Sequence, residues 1–221
     1  MNRVPEPELM LDDAQARAYA EADFESAHSR YPKLFAEMFP NRPATALVLD
    51  IGCGPCDVTI RFARANSGYT FHAVDGSAAM LTHGRERIAR DADVVKRVRL
   101  IEGCIPSAAI PAKNYDVILS SSLLHHLPDP QALWTTVRQY AKRGTLVFVV
   151  DLFRPDNRTD AEALTAKYAG GEPDVLRRDF LNSLLAAFTV EEVREQLDAT
   201  KLSELTVKTI SDRHLMIWGS L

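Results

Sequence analysis

From about Leu47 onward, short runs rich in β-branched residues alternate with longer stretches in which apolar residues recur at helical spacing. Continuous apolar runs such as LVFVV are typical of strands that are covered on both faces. This alternation predicts an α/β domain whose parallel sheet is built of βαβ units. We predict its strands at 46–51, 70–75, 97–102, 115–121 and 145–152.

Helical patterns fill the gaps between these strands. One helix is predicted directly after the first strand, in CDVTIRFARA, and a second begins at Ser77, a residue type favoured at the N-cap. A third is predicted to begin at Asp129-Pro130 and to end at Lys142-Arg143-Gly144, where cations and a left-handed glycine are typical of a helix end. Its core positions are expected at Leu133, Val137, Tyr140 and Ala141.

Two segments lie outside this alternation. Residues 11–39 are predicted to form one or two helices before the proline-bounded linker FPNRP, and residues 159–199 are predicted to form two more. The last of these opens with the capping-box pattern of Thr189 and Glu192. LSELTVKTI and HLMIWG then predict a closing hairpin. We therefore expect a helical cap at 1–44 and one domain at 45–221, with a helical insertion at about 156–200.

Composition narrows the possible partners. The 221 residues are 46% hydrophobic and 25% charged, with a formal net charge of -4, so no broad basic face for nucleic acid is expected. No apolar run approaches membrane-spanning length, and MNRVPEPELMLDD has no targeting pattern. We expect a cytoplasmic protein that binds neither nucleic acid nor membrane. Three cysteines in a chain of this length do not indicate a disulfide framework.

The stretch LDIGCGPCDVT supports two interpretations. Taken from Cys53, it contains Cys-Gly-Pro-Cys at a helix start, where the helix dipole lowers a thiol pKa and favours dithiol chemistry. Thioredoxin-like domains, however, usually carry Trp before the first cysteine, and Gly52 stands there in this chain. A single CxxC also lacks the second ligand pair of a zinc site, so no metal is expected.

Taken from Asp50, the same stretch is a glycine turn between a strand and a helix. Glycines allow a tight turn and let a ligand approach the backbone. The dinucleotide pattern GxGxxG needs glycine at position 57, but Asp57 stands there and disfavours a diphosphate. Asp75 ends the second strand, where an acid can accept both hydroxyls of a ribose. The alternative is that Asp75 forms a turn or cap before Ser77.

Five stretches together resemble the class I S-adenosylmethionine-dependent methyltransferases of the group that methylates small molecules. They are VLDIGCGPCDVTIRFA, AVDGSAAML, LIEGCIP, YDVILSSSLLHHLPDP and GTLVFVVDLFRP. The resemblance implies a Rossmann-like fold with a mostly parallel seven-stranded sheet, an antiparallel last strand, helices on both faces and an N-terminal helical lid. It also implies S-adenosylmethionine as the cofactor and a small molecule as the methyl acceptor.

The resemblance also implies roles for individual residues. Asp50 orients the turn and helps to hold the cofactor's ammonium group, Asp75 binds ribose, and Met80 packs on adenine unless it is a core residue. Tyr19 either closes over the cofactor or is a core aromatic. The remaining positions expected at the cofactor are Gly52, Gly54, Gly76, Gly103, Cys104, Ile105 and Ser120.

Two residues depart from the family's pattern. Cys56 stands where the first motif usually has its third glycine, and Cys104 stands where an acid often holds the adenine amino group. A thiol is a weaker hydrogen-bond acceptor than a carboxylate, so backbone groups from Gly103 to Ile105 are expected to take over that contact. These departures bear on cofactor affinity more than on the fold.

The loop after the fourth strand carries the candidate chemistry. His125 is the candidate general base, and His126 is a weaker one; the alternative is that His125 only holds the loop. Enzymes that methylate nucleic-acid bases typically have Asn/Asp-Pro-Pro-aromatic here, whereas this chain has Ser-Ser-Ser-Leu, which favours a small acceptor. Arg177 and Arg178 are expected either to bind an anionic acceptor or, as is commoner, to lie on a solvated helix face.

Three functional hypotheses therefore remain. The first is methyl transfer to a small molecule, and the second is a protein that binds the cofactor without transferring a methyl group. The third is thiol-disulfide exchange through Cys53 and Cys56. The sequence leaves open whether the chain forms a homodimer.

Overall fold

The computed structural model describes residues 1–6, 10 and 12–221. One seven-stranded sheet has the order β3-β2-β1-β4-β5-β7-β6, in which β1 to β5 are parallel and β7 runs antiparallel to both β5 and β6. The predicted fold class and closing hairpin are therefore confirmed. The strands are β1 (Ala46–Ile51), β2 (Tyr69–Asp75), β3 (Val98–Glu102), β4 (Tyr115–Ser121), β5 (Ala141–Leu152), β6 (Thr206–Thr209) and β7 (His214–Ser220).

Helices cover both faces of this sheet, and three helices precede β1. Within the described part of the chain, no helix is long and apolar enough to cross a membrane. Short 3₁₀ turns occur at Val94–Lys96 and Leu124–His126. The helices are α1 (Asp13–Glu21), α2 (Glu25–His28), α3 (Tyr31–Met38), α4 (Asp57–Ala65), α5 (Ala78–Ala89), α6 (Gln131–Tyr140), α7 (Arg158–Ala169), α8 (Asp174–Ala186) and α9 (Val190–Ala199).

The sheet separates two hydrophobic cores. Leu49 and Ile51 of β1 pack on one side with α6 and α9, whereas Val48 packs on the other side with α3, α4 and α5. The side chains of a strand alternate between the faces, so Asp50 is directed to the α4 side, where it is buried. A third, smaller apolar cluster joins α7 to α8 near the end of β5.

Both helical segments are divided more finely than the sequence predicted. Residues 11–39 contain three helices instead of one or two, although position 11 lies outside the described residues. Residues 159–199 contain three instead of two, because Gly170, Gly171 and Pro173 separate α7 from α8. Proline lacks an amide donor and glycine weakens a helix, so the apolar face alone did not reveal this break.

The predicted end of the third helix is wrong. Helix α6 ends at Tyr140, and the expected stop at Lys142-Arg143-Gly144 is already part of β5. Ala141 pairs with Tyr115 before a register shift, and the ammonium of Lys142 lies 2.6 Å from Asp116. The chain turns from helix to strand without the expected terminal turn. By contrast, the caps predicted at Ser77 and at Thr189 with Glu192 are confirmed.

Candidate active site

The glycine turn connects β1 to α4. Gly52 and Gly54 have φ angles of +73° and +51°, which L-residues adopt only with strain. A Cβ on Gly52 would lie 2.9 Å from Leu123, whereas a Cβ on Gly54 would meet nothing within 4 Å. Gly52 is therefore required by packing, and Gly54 leaves backbone open towards a cleft.

Asp75 fixes this turn to its neighbours. Its Oδ2 accepts a hydrogen bond from the Gly54 amide at 2.8 Å, and its Oδ1 accepts one from the Ser77 amide at 2.8 Å. Burial raises the pKa of Asp75, and these two amide hydrogen bonds oppose that rise. Each carboxylate oxygen keeps a further lone pair for a ligand. Asp75 thus forms the turn before Ser77 that was the alternative to ribose binding. Because its oxygens keep free lone pairs, it can also accept hydrogen bonds from a ribose.

A cleft opens above the turn at the carboxyl edge of β1, β2 and β4. It encloses about 980 Å³ of empty space, its open mouth included. Of the eleven residues predicted at the cofactor, nine line it, which brings the turn, the start of α5 and the segment after β3 around one space. These nine are Tyr19, Gly52, Gly54, Asp75, Gly76, Met80, Gly103, Cys104 and Ile105.

The other two predicted residues lie beneath the cleft wall. Asp50 is 1% exposed and accepts a hydrogen bond from the Thr59 hydroxyl at 2.6 Å. Burial raises the pKa of Asp50 to about 6. Ser120 is also buried and donates its hydroxyl to the Ile51 carbonyl at 2.8 Å. Both side chains support the turn from below, and Ser121 and Ser122 form the cleft wall at the end of β4.

The cysteine pair does not have the character of a dithiol centre. Cys53 and Cys56 are buried free thiols, and both sulfurs lie 3.8 Å from the Gly54 carbonyl. The hydrogen bond with Cys56 and burial raise the pKa of the Cys53 thiol well above its ordinary value. Thiol-disulfide exchange needs a lowered pKa, so the redox hypothesis is not supported. The sulfur of Cys56 packs beside Gly84 of α5, outside the cleft.

The second helix, α2, is held at the cleft by a charge network around Asp57. His28 Nδ1 lies 2.7 Å from Asp57 Oδ2, and Arg61 Nε lies 3.0 Å from the same oxygen. Burial opposes ionisation, but the hydrogen bonds from His28 and Arg61 prevail and lower the pKa of Asp57 to about 2. Arg61 also pairs with Glu25 at 2.7 Å. Asp57 therefore fastens α2 to α4 at the cleft mouth.

A second cavity adjoins the first. It holds about 1000 Å³ of empty space between α1, α2, α7, α8 and the loop after β4. Aromatic rings form the common boundary, since Tyr19 lies 4.8 Å from Phe24 and Phe24 lies 5.0 Å from His28 between ring centroids. The residues that line both cavities are Met10, Tyr19, Phe24, His28, Ser122 and His126.

His125 lines this second cavity and is oriented by a buried acid. Its Nδ1 lies 2.5 Å from Asp151 Oδ1, and Asp151 Oδ2 accepts the amides of Leu123 and Leu124 at 2.9 and 2.8 Å. Burial opposes protonation of His125, but Asp151 and Glu6 outweigh it and raise the pKa of the imidazole. The loop-holding role is therefore present in the structure, and Nε2 of His125 is directed elsewhere, towards Glu6.

Glu6 reaches this loop from the N-terminal segment. Its Oε1 lies 3.1 Å from His126 Nδ1 and 3.7 Å from His125 Nε2, and its Oε2 accepts the Ser183 hydroxyl at 3.3 Å. Burial raises the pKa of Glu6. Arg3 anchors the segment by donating to the carbonyls of His125 and Leu127, both at 2.9 Å. The cluster thus joins the N-terminal segment to the loop after β4 in the middle of the chain.

The two arginines of α8 lie outside both cavities. Arg177 pairs with Asp174, and Arg178 lies 3.7 Å from Asp179. Both guanidinium groups are substantially exposed. They form the solvated helix face that the sequence analysis favoured for them.

Sequence reasoning missed the acids and bases that surround these candidates. Asp151 carried a usable signal, because an acid that follows the apolar run LVFVV stands near the ligand-binding edge of a parallel sheet. Glu6 and His28 carried none, since only the tertiary structure brings them to the loop after β4 and to α4. Their contacts join residues that are far apart in the sequence, so no local sequence pattern predicts them.

Comparisons with known proteins agree with this geometry. A family model described as "Methyltransferase domain" matches residues 49–147. The chain is 25% identical over 197 residues to an uncharacterized methyltransferase of Mycobacterium tuberculosis, which covers 87% of this chain and 95% of the relative. It is 28% identical over 200 residues to the 27-O-demethylrifamycin SV methyltransferase of Amycolatopsis mediterranei, covering 89% of this chain and 68% of the relative.

The fold has solved counterparts of the same kind. A SAM-dependent methyltransferase from Aquifex aeolicus superposes with a TM-score of 0.67 at 14% identity, covering 95% of this chain and 98% of the other. Fold and site together define a Rossmann-like domain with a cleft at the carboxyl edge of its sheet. The match over residues 49–147, the relatives and the fold together support a class I S-adenosylmethionine-dependent methyltransferase.

Proposed function

We propose that this methyltransferase transfers the methyl group of S-adenosylmethionine to a small molecule that enters the cavity beside the cofactor cleft. The observation that carries the proposal is the wall shared by the two cavities, in which Tyr19, Phe24 and Ser122 border both spaces. A methyl donor bound in one cavity and an acceptor bound in the other would be adjacent where these residues border both spaces. In-line transfer needs that arrangement, because the nucleophile must approach the methyl carbon opposite the sulfur.

The cleft residues suit the donor. Gly54 exposes backbone where a Cβ would fill open space, and Asp75 offers two carboxylate oxygens at the end of β2. Met80 and Ile105 supply an apolar wall for a flat base. S-adenosylmethionine supplies a methyl group on a sulfonium that is already primed to leave, so the protein's task is to bind, align and exclude water. We assign the ribose to Asp75 and the adenine to Met80 and the backbone of residues 103–105.

The acceptor cavity favours a compact organic molecule. Aromatic and aliphatic side chains such as Phe24, Leu152, Leu176 and Phe180 form much of its lining, with a few carboxylates and histidines among them. Pockets of this kind bury a small ligand in apolar surface and orient it by a few polar groups. The Amycolatopsis relative is named for methylation of 27-O-demethylrifamycin SV, which supports an oxygen nucleophile here too.

His125 remains the candidate general base for such an acceptor. Asp151 fixes its Nδ1, and a carboxylate-oriented imidazole is the usual arrangement for proton removal by Nε2. Its Nε2, however, is directed towards Glu6 at 3.7 Å. A hydroxyl that His125 deprotonates must therefore enter between these two groups.

The proposal is tested by blocking the acceptor cavity alone. Ala27 lines the acceptor cavity and is absent from the cleft lining, so Ala27→Trp fills the former with an indole ring. We expect transfer of labelled methyl to a panel of small hydroxylated molecules to fall at least about tenfold. We expect calorimetric binding of S-adenosylhomocysteine to change less than about twofold.

The matched control is Ala14→Trp, which places the same ring on an exposed position of α1. It should leave both measurements unchanged. Equal transfer by Ala27→Trp and wild type would contradict the assignment of the acceptor cavity. Absence of S-adenosylhomocysteine binding by the wild type would contradict the assignment of the cleft.

A further inference from the structure

We propose that Glu6, His125 and His126 form a three-ligand site for a divalent transition-metal ion of the zinc type, with its open position towards the acceptor cavity. The direction of the open coordination position rests on the function proposed above, because the methyl acceptor is the molecule that would occupy it. The carrying observation is the convergence of one carboxylate oxygen and two imidazole nitrogens, which all lie within 4.8 Å of one another.

The separations of Glu6 Oε1 from the two imidazole nitrogens fit a small ion. Tetrahedral zinc bonds of about 2.0–2.1 Å separate neighbouring ligand atoms by about 3.3 Å. Glu6 Oε1 lies 3.1 Å from His126 Nδ1 and 3.7 Å from His125 Nε2, so the two separations bracket that value. Two imidazoles and one carboxylate are the ligand set of open zinc sites, in which a fourth position takes water or substrate.

Within the described part of the chain, Glu6 Oε1 has no hydrogen-bond donor, although a buried carboxylate oxygen ordinarily has one. The Glu6 side chain is 8% exposed, and among the described residues no donor is aligned to give Oε1 a hydrogen bond. Oε2, by contrast, accepts from Ser183. A buried acceptor without a donor is costly, whereas a cation between Oε1 and the imidazoles would satisfy it.

The groups behind the ligands are those that a metal site needs. Asp151 holds His125 Nδ1 at 2.5 Å, which leaves Nε2 as the ligand atom and gives the carboxylate–histidine–metal arrangement common in zinc proteins. Asp151 is itself fixed by the amides of Leu123 and Leu124. Arg3 connects the N-terminal segment, which carries Glu6, to the loop that carries both histidines. Ligands that are far apart in the sequence are thus each positioned by contacts of their own.

The open position indicates the acceptor class. His125 and His126 line the acceptor cavity, so a ligand there can reach an ion between them. A zinc-type ion binds oxygen and lowers the pKa of a hydroxyl that it holds. This predicts an acceptor that presents a hydroxyl oxygen. His125 then serves as a ligand and not as the general base, because Nε2 cannot do both.

The proposal is tested with Co²⁺ added to chelator-stripped protein and followed by visible absorption. We expect one Co²⁺ per chain, with the spectrum of a four-coordinate nitrogen and oxygen site. Glu6→Gln and His126→Gln should each weaken Co²⁺ binding at least about tenfold. The matched controls Glu204→Gln and His83→Gln, which change an exposed glutamate and a histidine outside both cavities, should leave binding unchanged.

Calorimetry with S-adenosylhomocysteine on the same samples shows that each variant is folded and keeps the cleft. Three results would overturn the metal site: no Co²⁺ uptake by protein that binds the nucleoside, uptake unaffected by Glu6→Gln and His126→Gln, or a sulfur-to-cobalt band that is lost in Cys53→Ser. Loss of nucleoside binding in the wild type would instead overturn the function proposed above, and the Co²⁺ titration would still decide the metal site.

Discussion

The cofactor cleft and the acceptor cavity share a wall but are built in different ways. The cleft is built on the carboxyl edge of the sheet: the turn at Gly52 and Gly54, the start of α5 and the segment after β3 form its floor, and side chains such as Tyr19 and Met80 complete it. The acceptor cavity is made by side chains from segments far apart in the chain, such as His125, Phe180 and His214. The first is an edge that the parallel sheet generates by its topology, and the second depends on helices and loops added around that edge.

This difference explains why the proposed cofactor cleft can suit a nucleoside shared by many relatives, whereas the proposed acceptor cavity can differ between them. Backbone amides and glycines present the same groups whatever surrounds them. A cavity lined by side chains changes its shape and polarity with every substitution. The acceptor is therefore the part of the reaction on which relatives with the same fold can diverge.

The sharpest way to test the backbone origin of the cleft is Asp75→Asn, for which we expect the largest effect. Both oxygens of Asp75 accept backbone amides, and an asparagine would place an NH₂ group against one of these donors. The charged acceptor for a ribose is lost as well. We expect the dissociation constant of S-adenosylhomocysteine to rise about 100-fold, which is about 2.7 kcal/mol, measured by calorimetry.

The control for Asp75→Asn is Glu102→Gln. Glu102 pairs with Asp75 in the β2–β3 register and also stands at a strand end, but it is exposed. Its substitution removes the same charge without touching the glycine turn, so affinity should change less than about twofold. Similar losses in the two variants would mean that charge near the cleft matters and that the turn does not.

The same contrast governs what the sequence could reveal. The strands, the glycine turn and Asp75 were predictable, because β-branched runs, glycines and a strand-ending acid are local signals. The partners of His125 were not, since Glu6 and Asp151 lie 119 and 26 positions away and meet it only in the folded chain. The end of α6 was mispredicted for a similar reason: pairing of Ala141 with Tyr115 overrode the local stop signal.

Asp50 supplies the next test, because it supports the turn from the buried side. Burial raises its pKa from the ordinary 3.8 to about 6, so the folded protein holds this proton more tightly than the unfolded chain. As the pH rises from about 4 to about 6, the unfolded chain ionises first, and stability falls. We expect the wild type to lose about 2 kcal/mol relative to Asp50→Asn across this interval, measured by urea unfolding at each pH.

The quantity to follow is the difference in free energy of unfolding between the two proteins, and how this difference changes with pH. Its absolute value is not informative, because the substitution also alters the hydrogen bond from Thr59. That hydrogen bond contributes the same amount in the asparagine variant at every pH. A difference that stays constant from pH 4 to pH 7 would show that Asp50 ionises at its ordinary pKa and that its burial costs nothing. Asp50 would then be ionised beneath the turn above about pH 4, and not an acid whose proton is retained there by burial.

The smallest expected effect concerns Cys56, the departure from the family's glycine. Its φ of +62° costs about 1 kcal/mol for a residue with a Cβ, but its sulfur fills the space beside Gly84, where an alanine Cβ would lie 2.9 Å from Sγ. Gly84→Ala should therefore be more favourable by about 1 kcal/mol in a Cys56→Gly background than in the wild type, measured by urea unfolding of the four proteins. Affinity for S-adenosylhomocysteine should stay within about twofold in all four, because Sγ lies outside the cleft. A tenfold change in Cys56→Gly alone would show that this side chain acts on the cofactor through the turn, and that the cleft depends on more than its backbone.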